Sequence, residues 1–276
     1  AFIGSTGSGK STIINLVPRF FDVTEGSILV DGVDVRRVSQ HDLREKIGYV
    51  PQKGSLFTGT IASNLQYAKE DATTADMEEA ASIAQALDFI DEKQERFDAP
   101  IAQGGTNVSG GQRQRIGIAR TLALNPQFIV CDEPISALDV SIQAQVINLL
   151  EHIQKEMGIS YLFIAHDLSM VKHISDRIGV MYLGNLVEIG DSDDVYHRPL
   201  HPYTQALLSA VPIPDPRVAR EKKRIVLEGE LPSPLDTPSG CVFRTRCPNA
   251  TERCAREKPG MVNVGKRTVA CFLYEK

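Results

Sequence analysis

The stretch Gly4-Ser5-Thr6-Gly7-Ser8-Gly9-Lys10-Ser11-Thr12 constrains this chain more than any other. It follows a short apolar run, Ala1-Phe2-Ile3, and precedes Thr12-Ile13-Ile14-Asn15-Leu16-Val17, whose pattern predicts an amphipathic helix. A G-x-x-x-x-G-K-[ST] sequence between a strand and a helix is a phosphate-binding loop. Its glycines let successive N–H groups point inward, and the helix N-terminus adds the positive end of its dipole. Lys10 then reaches the β and γ phosphates, and the Ser11 hydroxyl ligates Mg²⁺. A glycine-rich turn capping an ordinary helix would need neither the lysine nor the hydroxyl in register. Residues Gly4 to Thr12 are therefore candidate contacts of ATP or another nucleoside triphosphate.

Bulk properties exclude several classes. With 276 residues, 42% of them hydrophobic, the chain can bury a sizeable core. Thirty basic against 35 acidic residues give a net charge of −5, so no nucleic-acid footprint is expected. The basic run Arg217 to Arg224 reads as a solvated linker or helix face. No apolar stretch reaches the roughly 18 residues of a membrane span, and no signal-peptide pattern is present, so a membrane role calls for a partner. Cys131 sits in an apolar run and reads as an inert core residue. Cys241, Cys247, Cys254 and Cys271 crowd near the end, where a reducing compartment disfavours disulfides and metal or cluster ligation is the sharper alternative.

Taken in order, Pro18 ends the first helix, and Gly26 to Val35 reads as two short strands around an Asp31-Gly32 turn. Ile47-Gly48-Tyr49-Val50-Pro51-Gln52 is a buried strand with a polar end. Thr60 to about Glu95 has helical spacing and predicts a helical subdomain. Ser109-Gly110-Gly111-Gln112 opens another helix. Phe128 to Cys131 reads as a strand buried on both faces and ends at Asp132-Glu133, and a long helix follows from about Val140 to Met157. Tyr161 to Ala165 is one more strand, ending at His166. Strands alternating with helices imply an α/β fold with a mainly parallel sheet, whose ligands gather at strand C-terminal ends, where Gln52, Asp132, Glu133 and His166 fall.

In that order the motifs resemble an ATP-binding cassette (ABC) transporter ATPase. The phosphate loop is followed by Gln52, Ser109-Gly110-Gly111-Gln112, Ile129-Val130-Cys131-Asp132-Glu133, Ser136-Ala137-Leu138-Asp139 and His166. The resemblance implies a P-loop NTPase of ABC type, with a core over residues 1–190, a helical subdomain at about 55–125 and an irregular, cysteine-rich appendage over 191–276. It further implies that Asp132 holds Mg²⁺ with Ser11 and Gln52, and that Glu133 is the general base or water-positioning residue. His166 would contact the γ-phosphate, and Gln52 would link the site to the membrane subunit. Ser109, Gly110, Gly111 and Gln112 would face the ATP of a second ABC ATPase subunit, with Asp139 at the same interface, so that a monomer hydrolyses ATP poorly. Implied partners are that second subunit (in a homo- or heterodimer), transmembrane permease subunits and, indirectly, a solute-binding protein, at the cytoplasmic face of the membrane.

Two branches of the family are resembled. Residues 1 to about 108 look like a multidrug or lipid exporter ATPase, through Tyr49-Val50-Pro51-Gln52, Leu56-Phe57-Thr58-Gly59-Thr60-Ile61 and Gln103 to Ser109. From about Ile116 onward the chain resembles an oligopeptide or dipeptide importer ATPase, through Cys131 to Gln145, Ile164-Ala165-His166-Asp167-Leu168 and His201-Pro202-Tyr203. The reading is a mosaic with its N-terminus truncated, because strands beside the phosphate-loop strand are expected upstream of residue 1. Peptide import is the leading reading. The alternatives are an exporter-type nucleotide-binding fragment and a non-catalytic fragment lacking the family's adenine-stacking aromatic residue.

Past Asp191, prolines 199, 202, 212, 232, 234 and 238 among others predict a loop-rich segment, with a short helix starting at Pro202. The spacing C-x5-C-x6-C-x16-C is neither a zinc ribbon nor a ferredoxin run. In the importer ATPases a [4Fe-4S] cluster can occur in such a segment. Four thiolates converging on a cluster, or four small half-buried residues in a compact flap, both fit the spacing.

Overall fold

Short β-branched runs alternate with periodic helical stretches, and the computed structural model, which describes residues 1–136, 138–165, 167–212, 217 and 224–275, folds them accordingly. By its contacts the chain divides into two units, residues 1–12 with 164–276, and residues 13–163.

The phosphate loop lies between β1 (Phe2–Ile3) and α1 (Lys10–Leu16), and Pro18 follows α1 as a breaker. β2 (Leu29–Val30) and β3 (Val33–Asp34) form an antiparallel pair across Asp31 and Gly32, both at positive φ, as a tight hairpin requires. α2 (Gln40–Glu45) leads into β4 (Ile47–Val50). The helical stretch expected after Thr60 is α3 (Ile61–Gln66), α4 (Thr74–Ile83) and α5 (Leu87–Asp91), bracketed by β5 (Gly59–Thr60) and β6 (Pro100–Ile101), which pair antiparallel. Ile61, Leu65, Ala81, Ile90 and Ile101 are almost wholly buried, so this segment carries its own apolar centre.

α6 (Gly110–Leu122) follows, then β7 (Phe128–Asp132) and α7 (Val140–Met157). Asp139 caps the start of α7, and Gly158, at φ 66°, ends it in the left-handed conformation. β4 and β7 run parallel, with Ile129, Val130 and Cys131 buried, as a strand covered on both faces demands. Burial pushes the Cys131 thiol up, consistent with an inert core residue.

In the other unit, β1 runs parallel to β9 (Arg177–Tyr182), and Phe2 also pairs with Ile164 at the end of β8 (Ser160–Ile164). α8 (Leu168–Ile174) precedes β9, and β10 (Asn185–Asp191) returns antiparallel to it. The tail holds α9 (Ser192–His197), α10 (Pro202–Ser209), α11 (Glu252–Arg256) and the hairpin β11 (Val262–Val264) with β12 (Arg267–Val269), and β12 pairs with β10. Among the described residues, Pro199, Pro232, Pro234 and Pro238 lie in loops and Pro202 opens α10, but the segment also extends a sheet edge, which proline density did not reveal. Among the described residues no helix is long and apolar enough to cross a membrane.

One buried acid organises this tail. The β9–β10 register shifts between Leu186 and Glu188, and the fully buried Glu188 carboxylate accepts the Leu200 and His201 amides, each at 2.9 Å. His201 then caps α10: its Nδ1 accepts the Tyr203 amide at 3.0 Å, and burial pushes its pKa down to about 4, so the ring is neutral. Glu188→Ala would strand two amides, at ~1–3 kcal/mol for each buried donor left without a partner. A corresponding fall in unfolding free energy by chemical denaturation is the expected result.

Candidate active site

The phosphate loop closes on its own lysine. Lys10 is only 4% exposed, and its Nζ donates to Gly4 O at 2.9 Å, Ser5 O at 3.0 Å and Ser8 Oγ at 3.3 Å. A buried ammonium is tolerated only with its donors satisfied, and this ring of acceptors does that. Gly4 sits at φ 157°, and a Cβ there would stand 2.2 Å from Met181 O and 2.8 Å from Ser8 Oγ. Only glycine fits where the loop backbone meets β9 so closely. Ser11 and Thr12, in the first turn of α1, are exposed. Their hydroxyls and the start of α1 offer donors and the positive end of a helix dipole to an anion.

The second group of residues is built by strand register. β4 and β7 align Val50 with Cys131, so the chain two residues further on brings Gln52 beside Glu133. Gln52 Nε2 donates to Glu133 Oε2 at 2.9 Å and to Ser136 Oγ at 3.3 Å, while Ser136 Oγ donates to Glu133 O at 3.1 Å. Glu133 is 8% exposed and its backbone holds φ 46°, an uncommon state for a residue with a side chain. Strain of that kind concentrates at functional sites. Beside it, the Tyr49 hydroxyl donates to Asp132 Oδ2 at 3.4 Å. Burial, and then the Asp132 carboxylate, pushes Tyr49 up to about 12, which keeps it a protonated donor.

The Ser109-Gly110-Gly111-Gln112 turn opens α6 with a capping box: Ser109 Oγ accepts the Gln112 amide at 3.2 Å, and Gln112 Oε1 accepts the Ser109 amide at 3.0 Å. Gly110 lies against Leu138 and Gly111 against Ile142, where a Cβ would come within 3.3 and 3.2 Å. Between Leu138 and Ile142 in the chain, Asp139 caps α7. Its Oδ1 accepts from the Ile142 amide and the Ser141 hydroxyl, and these bonds, the Ile142 amide first, hold its carboxyl below the usual range. The turn therefore opens α6 with two glycines whose faces are covered by Leu138 and Ile142. His166 lies outside the described residues.

The four late cysteines come together in a different place. Cys241, Cys247, Cys254 and Cys271 all line one cavity of about 230 Å³, with His201, Phe243 and Phe272. Burial, with neighbouring thiols adding to it, pushes Cys241, Cys247 and Cys271 up. Among the described residues no three His, Cys, Asp or Glu side chains converge on a single ion position.

Comparison with known proteins decides the family. The ABC transporter family profile matches residues 1–136, and the profile of the oligopeptide/dipeptide transporter C-terminal region matches residues 187–254. The oligopeptide transport ATP-binding protein OppF of Salmonella typhimurium is 46% identical, over 98% of this chain and 82% of that protein. The oligopeptide transport ATP-binding protein AppF of Bacillus subtilis is 44% identical, over 99% of this chain and 84% of its own length. The chain belongs to the ATP-binding subunits of ABC transporters. A solved bacterial Atm1-family ABC exporter with ATP bound resembles this ABC subunit with a TM-score of 0.67 and 37% identity, over 74% of this chain and 35% of that one.

Three contributors to this ABC subunit's site escaped the sequence reading. Ser136 ties Gln52 to Glu133, Tyr49 holds Asp132, and the Tyr203 hydroxyl accepts the Ser5 amide at 2.9 Å. Tyr49 was within reach, since it faces the same strand end as Gln52; a contact between Tyr203 and Ser5 leaves no trace in spacing. Gly4→Ala tests the loop geometry. Overpacking costs ~1–3 kcal/mol before backbone strain is added, so a lower melting temperature with loss of nucleotide binding is expected.

Proposed function

We propose that this chain is the ATP-hydrolysing subunit that energises peptide uptake through a membrane permease. The observation that carries this reading is the oligopeptide/dipeptide transporter C-terminal region over residues 187–254, attached to an ABC ATPase. Relatives named for oligopeptide transport align over 98–99% of the chain, through the stretch where an exporter-like half would meet an importer-like half, which favours a single importer lineage over a mosaic. The exporter-like reading of residues 1–108 draws its support from the solved exporter at 37% identity.

Each residue's role follows from its chemistry. Residues Gly4 to Thr12 bind the ATP phosphates, with Lys10 as the fixed cation. Gln52 donates through Nε2 to Glu133, which leaves Oε1 as its donor atom for a cation. With the Ser11 hydroxyl and the Asp132 carboxylate, that oxygen belongs to the hard donor set that Mg²⁺ takes. When bound, the ion neutralises phosphate charge. Glu133, held by Gln52, orients and deprotonates the attacking water, and His166 contacts the γ-phosphate. The Ser109 turn and Asp139 meet the nucleotide of a second ATPase subunit, in a homo- or heterodimer. The core spans residues 1–190 and the appendage 191–276, and the assembly works at the cytoplasmic membrane face, served by a solute-binding protein.

The cysteine cavity fits a [4Fe-4S] cluster. A cluster is wider than a single ion, so its thiolates must share a cavity rather than a common point, and Cys241, Cys247, Cys254 and Cys271 do so. Bound there, a cluster would also draw the four thiols into their thiolate form. Anaerobic purification is expected to yield brown protein with visible charge-transfer absorption and bound iron; a colourless, iron-free preparation rejects the assignment.

For the ATPase, Glu133→Gln is expected to lower turnover by about 10²-fold or more while MgATP binding persists. Turnover unchanged by that substitution would reject the role of Glu133. Co-purification with peptide-permease subunits, rather than with an exporter's membrane domain, checks the direction of transport.

A further inference from the structure

The His201-Pro202-Tyr203 segment supplies no group proposed to touch nucleotide or cation, yet its polar groups are engaged one after another. Glu188 holds the His201 amide, His201 holds the Tyr203 amide, and the Tyr203 hydroxyl accepts the amide of Ser5 in the phosphate loop at 2.9 Å. Tyr203 is 3% exposed, and its ring packs on Tyr182 at 4.7 Å and on Phe243 at 5.5 Å between centroids. Phe243, wholly buried, follows Cys241 by two residues and lines the cysteine cavity. Pro234 also lies near the loop, its Cγ 3.9 Å from the position a Gly7 Cβ would take.

Ser5 is thus held by both of its backbone polar groups. Its N–H is taken by Tyr203 and the Ser5 carbonyl by Lys10 at 3.0 Å. Loop N–H groups bind phosphate well only when they converge, and a loop that visits other conformations binds more weakly in proportion to the competent fraction. We propose that Tyr203 is a positioning residue of the phosphate loop, through which the packing of the cysteine-bearing segment around Phe243 sets the affinity for nucleotide. This rests on the reading that residues Gly4 to Thr12 bind ATP. By linkage the effect is reciprocal: bound MgATP steadies α10 as much as α10 steadies the loop.

Tyr203→Phe in the full chain keeps the ring and its packing and removes only the hydroxyl. The dissociation constant and KM for MgATP are expected to rise roughly three- to tenfold, the range one neutral hydrogen bond supplies. Because Tyr203 touches no reacting atom, kcat at saturating ATP stays within about twofold, a split that a general loss of fold would not produce. Wild-type affinity in a folded Tyr203→Phe protein overturns the proposal. Lys10→Ala, measured in parallel, separates the two readings. Binding lost there but unchanged in Tyr203→Phe removes the role of Tyr203 alone, whereas binding unchanged in both removes the phosphate-loop reading as well. Should Tyr203→Phe fail to fold, hydrogen exchange on the wild-type protein decides: MgATP is expected to slow exchange over residues 202–209, and no change there overturns the coupling.

Discussion

The buried ammonium of Lys10 is the interaction on which the phosphate loop depends. A charge removed from water must be surrounded by acceptors, and the loop supplies Gly4 O, Ser5 O and Ser8 Oγ. That requirement bends the backbone into the turn from Ser5 to Ser8 and brings Gly4 against Met181 with no room for a Cβ. In the proposed phosphate-binding role, oxygens entering the loop meet a cation that is already in place. The reorganisation a flexible lysine would need is avoided, which is the sense in which such a site is preorganised.

In the other unit the corresponding constraint is parallel strand pairing. Register alone, Val50 opposite Cys131, places an amide donor beside a carboxylate once both chains leave the sheet. The polar groups around them are arranged to hold each side chain in one orientation. Tyr49 stays protonated beside Asp132, Ser136 bridges Gln52 and the Glu133 backbone, and Glu133 is held at a positive φ that an unconstrained chain would leave. A carboxylate so restricted suits the orientation of a water molecule better than a mobile surface acid does.

The appendage joins these themes through a different device. A register shift in β10 turns Glu188 inward, Glu188 anchors the amides before α10, and α10 delivers Tyr203 to the loop. The aromatic contacts of Tyr182, Tyr203 and Phe243 connect that delivery to the wall of the cysteine cavity. The cavity of the four cysteines and the phosphate loop therefore both border one packed aromatic cluster.

What the amino-acid order determined by itself was whatever depends on near neighbours. The glycine-lysine loop, the capping serine and glutamine of α6, the limits of α7 and the apolar strand before Asp132 and Glu133 are all local, since turn sterics, caps and side-chain periodicity act over a few residues. The candidate-site motifs were legible for the same reason: each is a short run of residues whose types and spacing are themselves the signal. Tertiary structure alone decided the contacts between residues far apart in the chain, such as Tyr203 with Ser5, Ser136 with Gln52, and Glu188 with His201. It also decided that cysteines spread from 241 to 271 share one cavity, and that a proline-rich tail extends a sheet edge. Partners of this kind are set by how elements pack within each unit, and packing leaves no period in the sequence to read.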